Sequence, residues 1–179
     1  GAHLVFLDES GFLLIPNVVR TWSPRGSTPL FYHSYRRDKI SAITALTVSP
    51  KRRRLGLYIR LRKRNLTGLD VRLFLRHLLR HLPGHVFLLW DNGSVHTRKA
   101  VRDYIREHPR LHVEPFPSYA PELNPAEHVW TQVDRALANS VAEDLDELDG
   151  MLRYSARRVR LSQKLLRSCI HASELPWKR

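Results

Sequence analysis

The run VFLLWDNGSVH, residues 86–96, decides how this chain folds. Five apolar residues in succession read as a strand covered on both faces, and Asp91-Asn92-Gly93 then turns the chain away. The strand therefore delivers a carboxylate at its C-terminal end. A second run with the same layout, HLVFLDES at residues 3–10, closes its apolar part on Asp8. A third acid, Glu127, opens a helix within FPSYAPELNPAEHVW, residues 116–130. Two acids at strand ends and one at a helix start are positions that a single fold can bring together.

On either side of these runs the pattern predicts the remaining elements. Residues 3–8 and 12–19 are apolar runs split by Glu9-Ser10-Gly11, which predicts a hairpin. Residues 21–32, TWSPRGSTPLFY, hold two prolines and a glycine and predict an exposed loop. Strands are expected at 40–48 and at 55–61, the second alternating apolar and basic residues as an exposed edge does, with Lys51, Arg52, Arg53 and Arg54 in the turn between them. A helix over 68–82 carries Leu75, Leu78, Leu79 and Leu82 on one stripe and Arg72, Arg76 and Arg80 on another, and Pro83-Gly84 stops it. A helix at 97–107, a strand at 111–116 and a helix at 124–138 follow. From Asp144 onward the chain reads as helical, with Gly150 the expected interruption. There Leu145, Leu148, Met151 and Leu152 form a stripe suited equally to packing on the domain or to a second subunit. The order predicts one mixed α/β domain over residues 1–179, with a core at about 1–140 and a C-terminal helical segment at about 141–175.

Composition limits the partners. A 42% apolar content supports a real core, while a formal charge of +13 and a pI near 10.7 favour a polyanion, nucleic acid first. No apolar run approaches the roughly 20 residues that span a bilayer, so no membrane association is expected. The single Cys169 excludes an internal disulfide and fits a reducing, cytoplasmic setting. The chain enters a strand almost at once after Gly-Ala, as a piece cut from a longer protein would.

If the strands ending at Asp8 and Asp91 are neighbours, their axes lie about 4.8 Å apart, within reach of one ion. Two carboxylates so close repel one another unless a cation lies between them. Oxygen ligands of this kind favour Mg²⁺ or Mn²⁺, and a second ion completed by Glu127 would make a metal nuclease. Each acid also has an ordinary explanation. Both aspartates sit in turn sequences, and Asn124 as N-cap with Pro125 after it would make Glu127 part of a capping box. Asp134, on the Glu127 face with Thr131, is a reserve ligand, and Glu122 and Glu9 are weaker reserves. His96 reads either as a contact to phosphate or ordered water, or as a helix cap. Zinc is not expected, since His77, His81, His108 and His112 lack ligand spacing and one cysteine cannot build a structural site. Trp22, beside Arg20 and Arg25, is the aromatic best placed to stack on a base, whereas Trp90 and Trp130 read as core. The basic runs Lys51, Arg52, Arg53, Arg54 and Arg60, Arg62, Lys63, Arg64 are candidate phosphate contacts.

The motifs DESGF, TWSPRGSTP, LPGHVFLLWDNGSVHTRKAVRDYI and PFPSYAPELNPAEHVW closely resemble the catalytic domain of bacterial insertion-sequence transposases related to mariner, in the DDE group of the ribonuclease-H-like superfamily. The resemblance runs to about residue 140, and PELNPAE is its most specific part. It implies that Asp8, Asp91 and Glu127 are a metal-binding triad for two Mg²⁺, with Mn²⁺ able to substitute; the 35 residues between Asp91 and Glu127 suit that group. It further implies a mixed five-stranded sheet flanked by helices, three strands antiparallel and two added in parallel, with the first and fourth strands adjacent. The implied reaction is cutting of the element's DNA end by water and attack of the freed 3′-hydroxyl on target DNA, with TA targets favoured among relatives. The implied partners are double-stranded DNA and a second copy of the chain, at the bacterial nucleoid. Such proteins carry an N-terminal helix-turn-helix region for end recognition, and these residues do not include one. Trp90 and Gly93 stand where smaller aliphatic residues or Ala are familiar. The rival reading is a catalytically silent nucleic-acid-binding module derived from such an enzyme. A Ser-His-Asp hydrolase fits poorly, since Ser10 and Ser94 lack a nucleophile-elbow context.

Overall fold

The computed structural model describes residues 1–30, 32 and 37–177. Strands β1 (His3–Leu13), β2 (Lys39–Val48), β3 (Leu55–Arg62), β4 (Val86–Trp90) and β5 (Leu111–Pro115) form one sheet in the order β3-β2-β1-β4-β5. The first three pair antiparallel, and β4 and β5 are added in parallel. The helices are α1 (Gly68–His81), α2 (Lys99–Arg106), α3 (Glu127–Leu137), α4 (Leu145–Leu161) and α5 (Gln163–Ala172). This is the ribonuclease-H-like arrangement that the sequence motifs imply.

Strand alternation divides the core in two. Val5, Leu7, Ile43, Ala45, Leu88 and Trp90 turn to one face, where α1 and α2 cover them. Phe6, Phe12, Ile40, Ala42 and Leu46 turn to the other, under α3, α4 and α5. Leu148 and Leu152 lie buried in that second layer, so the C-terminal stripe packs on its own domain. Among the described residues no helix is long and apolar enough to cross a membrane.

Two local expectations fail for the same reason. The hairpin predicted from residues 3–8 and 12–19 is a single strand, because Glu9, Ser10 and Gly11 stay in the ladder opposite Ile43, Ala42 and Ser41. Ten consecutive pairs with β2 override three turn-forming residues. Likewise α4 runs through Gly150, and the interruption falls at Ser162, whose hydroxyl accepts the Leu165 N–H at 3.2 Å to start α5. In both cases tertiary pairing outweighs the preference of the local residues. Residues 21–30 are exposed and outside any helix or strand, as expected, and Phe31 of that stretch lies outside the described residues.

The start of α1 explains one basic cluster. Thr67 and Asp70 form a capping box, and Asp70 is buried at 1% exposure. Arg62 Nε donates to Asp70 at 3.0 Å, and Arg64 donates twice, at 2.7 and 2.9 Å. Burial opposes ionisation of this carboxyl, but Arg64, Thr67 and Arg62 hold it well below the usual range. Lys63 pairs with Asp146. Arg62, Lys63 and Arg64 thus tie β3 to α1 and α4 while keeping part of each side chain exposed. Replacing Asp70 with Ala removes a cap and strands two guanidinium groups; an expected loss of about 2–4 kcal/mol is measurable by urea denaturation.

Candidate active site

Asp8 follows Leu4 and Phe6 along β1, so period-two alternation turns it toward α3, opposite Thr44 of β2. The β1–β4 register pairs Phe6 with Leu89, and two further residues along each chain are Asp8 and Asp91. The parallel pairing expected from the sequence therefore sets these two acids side by side at the end of β4. Glu127 arrives from above as the first residue of α3. All three line one cleft of about 440 Å³, together with Asn92, Gly93 and Tyr119.

Asp8 is 5% exposed and is positioned by two groups on the far side of the α3 start. Trp130 Nε1 donates to Asp8 Oδ2 at 2.6 Å, and Asn124 Nδ2 donates to the Leu7 carbonyl at 3.1 Å while lying 3.5 Å from Asp8 Oδ1. Phe12 meets the Trp130 ring edge-on at 5.6 Å and fixes the indole. Burial, then the charge of Glu127, raises the Asp8 carboxyl to about 8 despite the Trp130 hydrogen bond, and Glu9 and Asp91 add to the rise. A carboxylate driven this far from its ordinary range is short of positive charge. The sequence reading assigned Trp130 to packing and Asn124 to an N-cap, and in neither case to Asp8. The available signal was their spacing, three residues on either side of Glu127.

Asp91 is anchored differently. Its Oδ1 accepts the Gly93 N–H at 2.9 Å, and a Cβ on Gly93 would meet that same oxygen at 2.9 Å, so glycine leaves the carboxylate room. His96 is buried, and both of its ring nitrogens are engaged by the protein. Its ring lies flat on Trp90 at 4.0 Å with planes 2° apart, Nδ1 donates to the Asp91 carbonyl at 2.9 Å with Asp91 Oδ1 at 3.2 Å, and Nε2 donates to Glu9 at 2.8 Å. Burial alone would lower this imidazole, but its bonds to Asp91 and Glu9 carry it up to about 10. The His96 bond in turn holds Asp91 below its ordinary value. Glu9, Asp91 and His96 place ligand atoms within 4.8 Å of one another, yet an imidazolium donating from both nitrogens has no lone pair for a metal. Trp90 and Gly93, the two departures from the familiar motif, are accounted for by this stacking and this turn.

Glu127 does not form the expected capping box. Its carboxylate has no hydrogen-bond partner among the described residues, and Asn124 Oδ1 instead accepts the Ala126 N–H at 3.1 Å. Burial, and then the charge of Asp91, raises the Glu127 carboxyl. Of the reserve acids, Asp134 lines a separate groove with Phe12 and Leu137, Glu122 lies outside the cleft, and Glu9 faces the other side of β1 from Asp8. The three carboxylates of the cleft are therefore an all-oxygen set with one member unpaired and one buried, which fits a hard divalent cation.

The predicted DNA contacts spread more widely. Trp22 is 99% exposed and Arg25 is exposed, both in the segment before β2. Lys51, Arg52, Arg53 and Arg54 follow Val48, the partner of Leu4, and so lie some four residues, about 13 Å, along the sheet from Asp8. Arg52 there sits over the Trp177 ring at 5.5 Å.

The raised Asp8 carboxyl has a sign that stability measurements read. A group bound to its proton more tightly in the folded state contributes stability below its unfolded value near 4, and that contribution is lost as pH rises toward 8. Asp8→Asn abolishes this loss. Without divalent metal its melting temperature is expected to match the parent at pH 4 and exceed it by about 5–10 °C at pH 8. Trp130→Phe keeps the ring and deletes the N–H, and Mn²⁺ affinity by calorimetry is expected to fall about tenfold as Asp8 becomes harder to ionise.

Against known proteins, the model of a family described as DDE superfamily endonuclease matches residues 3–149. The chain is 26% identical over 171 residues to the transposable element Tc1 transposase of Caenorhabditis elegans, covering 90% of this chain and 61% of that protein. The chain thus spans about three fifths of that relative. In structure it is similar to the catalytic domain of Mos1 mariner transposase, with a TM-score of 0.56 at 17% identity, covering 96% of this chain and 83% of that one. It is similar also to the mariner Mos1 paired-end complex with Mg, with a TM-score of 0.61 at 19% identity over 98% of this chain and 57% of that one. With the family model spanning most of its length and the acids of β1, of the turn after β4 and of α3 lining one cleft, this chain belongs to the DDE superfamily endonucleases, similar in sequence to the Tc1 transposase and in fold to the Mos1 mariner catalytic domain.

Proposed function

We propose that this domain cuts DNA strands and joins the resulting ends to target DNA, with Asp8, Asp91 and Glu127 holding two Mg²⁺, for which Mn²⁺ substitutes. The observation that carries the reading is the cleft itself, which three carboxylates line on a domain of charge +13, with Asp8 raised to about 8 by burial and by the charge of Glu127. Kinship with Tc1 transposase and similarity to a Mos1 complex with Mg support it. Two bound divalent ions supply positive charge to the attacking and leaving oxygens of a phosphodiester.

The chain's own residues do the positioning. Trp130 and Asn124 hold Asp8 at the floor, and His96 and Gly93 fix Asp91 beside it. Glu127, without a hydrogen-bond partner among the described residues, completes the set from α3. In the first step a water oxygen forms a bond to phosphorus as the bond to the 3′-oxygen breaks, leaving a 3′-hydroxyl. That hydroxyl then attacks a target phosphodiester, displacing another 3′-oxygen, so no external energy source is consumed. Double-stranded DNA, as element end and as target, is the substrate, and a pair of chains on two ends is the working assembly. From the resemblance of its motifs to insertion-sequence transposases we further propose a bacterial element acting at the nucleoid.

Incubation of supercoiled plasmid with the protein and Mn²⁺ or Mg²⁺ tests this. Nicking that EDTA abolishes, and that falls at least about 100-fold in Asp91→Asn and in Glu127→Gln, is expected. Nicking that persists in both variants contradicts the assignment, and metal-dependent DNA binding with no cutting by any form favours the silent module.

A further inference from the structure

Tyr119 is the feature of the cleft that metal chemistry leaves unexplained. It lines the same cleft as the three acids and is as exposed as an isolated side chain. Its backbone is left-handed at φ 59°, a conformation that a bulky residue seldom adopts because of its Cβ. The other two such residues among those described have local reasons. Arg52 closes a turn by donating its N–H to Ser49, and Asn139 hydrogen-bonds Asn17 and Val19. Tyr119 has no hydrogen bond or ring contact with any described residue.

The loop that carries it is tied down at both ends. Phe116 N donates to the Trp90 carbonyl at 2.7 Å at one end, and Leu123 and Asn124 close a short 3-10 turn at the other, with Pro117 and Pro121 fixing φ between. A left-handed backbone in a loop tied at both ends leaves a bare aromatic ring beside the cleft that the acids line, with no ring contact from any described residue. Such an arrangement is pre-organised for a flat partner.

We infer that Tyr119 stacks on an unpaired DNA base next to the phosphodiester that the three acids address, and so positions the strand in the cleft. The inference rests on the function proposed above. An aromatic face accepts any base, so Tyr119 sets position rather than sequence. It is a positioning residue, and its phenolic hydroxyl is dispensable.

The test is fluorescence anisotropy of the protein, in Ca²⁺, with a labelled duplex ending in one unpaired nucleotide, against the same DNA with an abasic site there. Removing the base is expected to weaken binding by the parent and by Tyr119→Phe about 5- to 100-fold. Tyr119→Ala is expected to bind both DNAs with the parent's abasic affinity. Tyr119→Gly, free of the left-handed strain, is expected to melt at or above the parent temperature yet show the same loss, which separates stacking from folding. Base removal that leaves parental binding unchanged, or that costs Tyr119→Ala as much as the parent, overturns the inference. If that happens while Asp91→Asn still abolishes nicking, the assignment of the acids stands and only Tyr119 falls. Nicking that survives Asp91→Asn overturns both.

Discussion

The parallel register between β1 and β4 is the constraint on which the site depends. Pairing Phe6 with Leu89 brings Asp8 and Asp91 level at the point where β4 leaves the sheet. Side chains alternate with a period of two, so a one-residue slip would turn Asp8 into the α1–α2 layer and leave Asp91 alone. The apolar residues enforce the register. Val5, Leu7 and Leu88 are fully buried on one face, and Phe6 is buried on the other, so any slip would exchange the two layers. The hydrophobic core thereby fixes the placement of two charges that it would otherwise exclude.

Those charges are in conflict with the fold that places them. A carboxyl at 5% exposure, beside two other acids, favours its protonated form. Trp130 offers one donor and Asn124 a longer one, which orient Asp8 without neutralising it. Asp91 is served otherwise, by an imidazolium that Glu9 and Trp90 hold in place. The two aspartates thus have opposite proton affinities although they are neighbours. Such a split is expected where a site is built for a ligand rather than for stability.

Much of this was legible in the sequence. The apolar run closing on Asp91 located the end of β4, whereas β1 continues past Asp8 to Leu13, and β4 is buried on one face only, with Phe87 40% exposed on the other. What escaped were effects of pairing. Glu9-Ser10-Gly11 carries turn composition, and only a ten-pair ladder with β2 makes it strand. Gly150 looked like a break because the stripe that holds α4 against the sheet is tertiary. His96 and Trp130 were singled out without their partners for a related reason: Glu9 and Asp8 are more than 80 residues away in the chain. Arg62 and Arg64 read as a charge run until Asp70 appeared between them.

The central claim is that three distant acids form one site for divalent cations. Anomalous diffraction from a crystal soaked in Mn²⁺ measures this directly. A peak about 2.1 Å from carboxylate oxygens of both Asp8 and Asp91, with a second ion engaging Glu127, is the predicted result. Manganese bound elsewhere on the protein, with the cleft empty and Asp8 still held by Trp130 alone, would contradict the account.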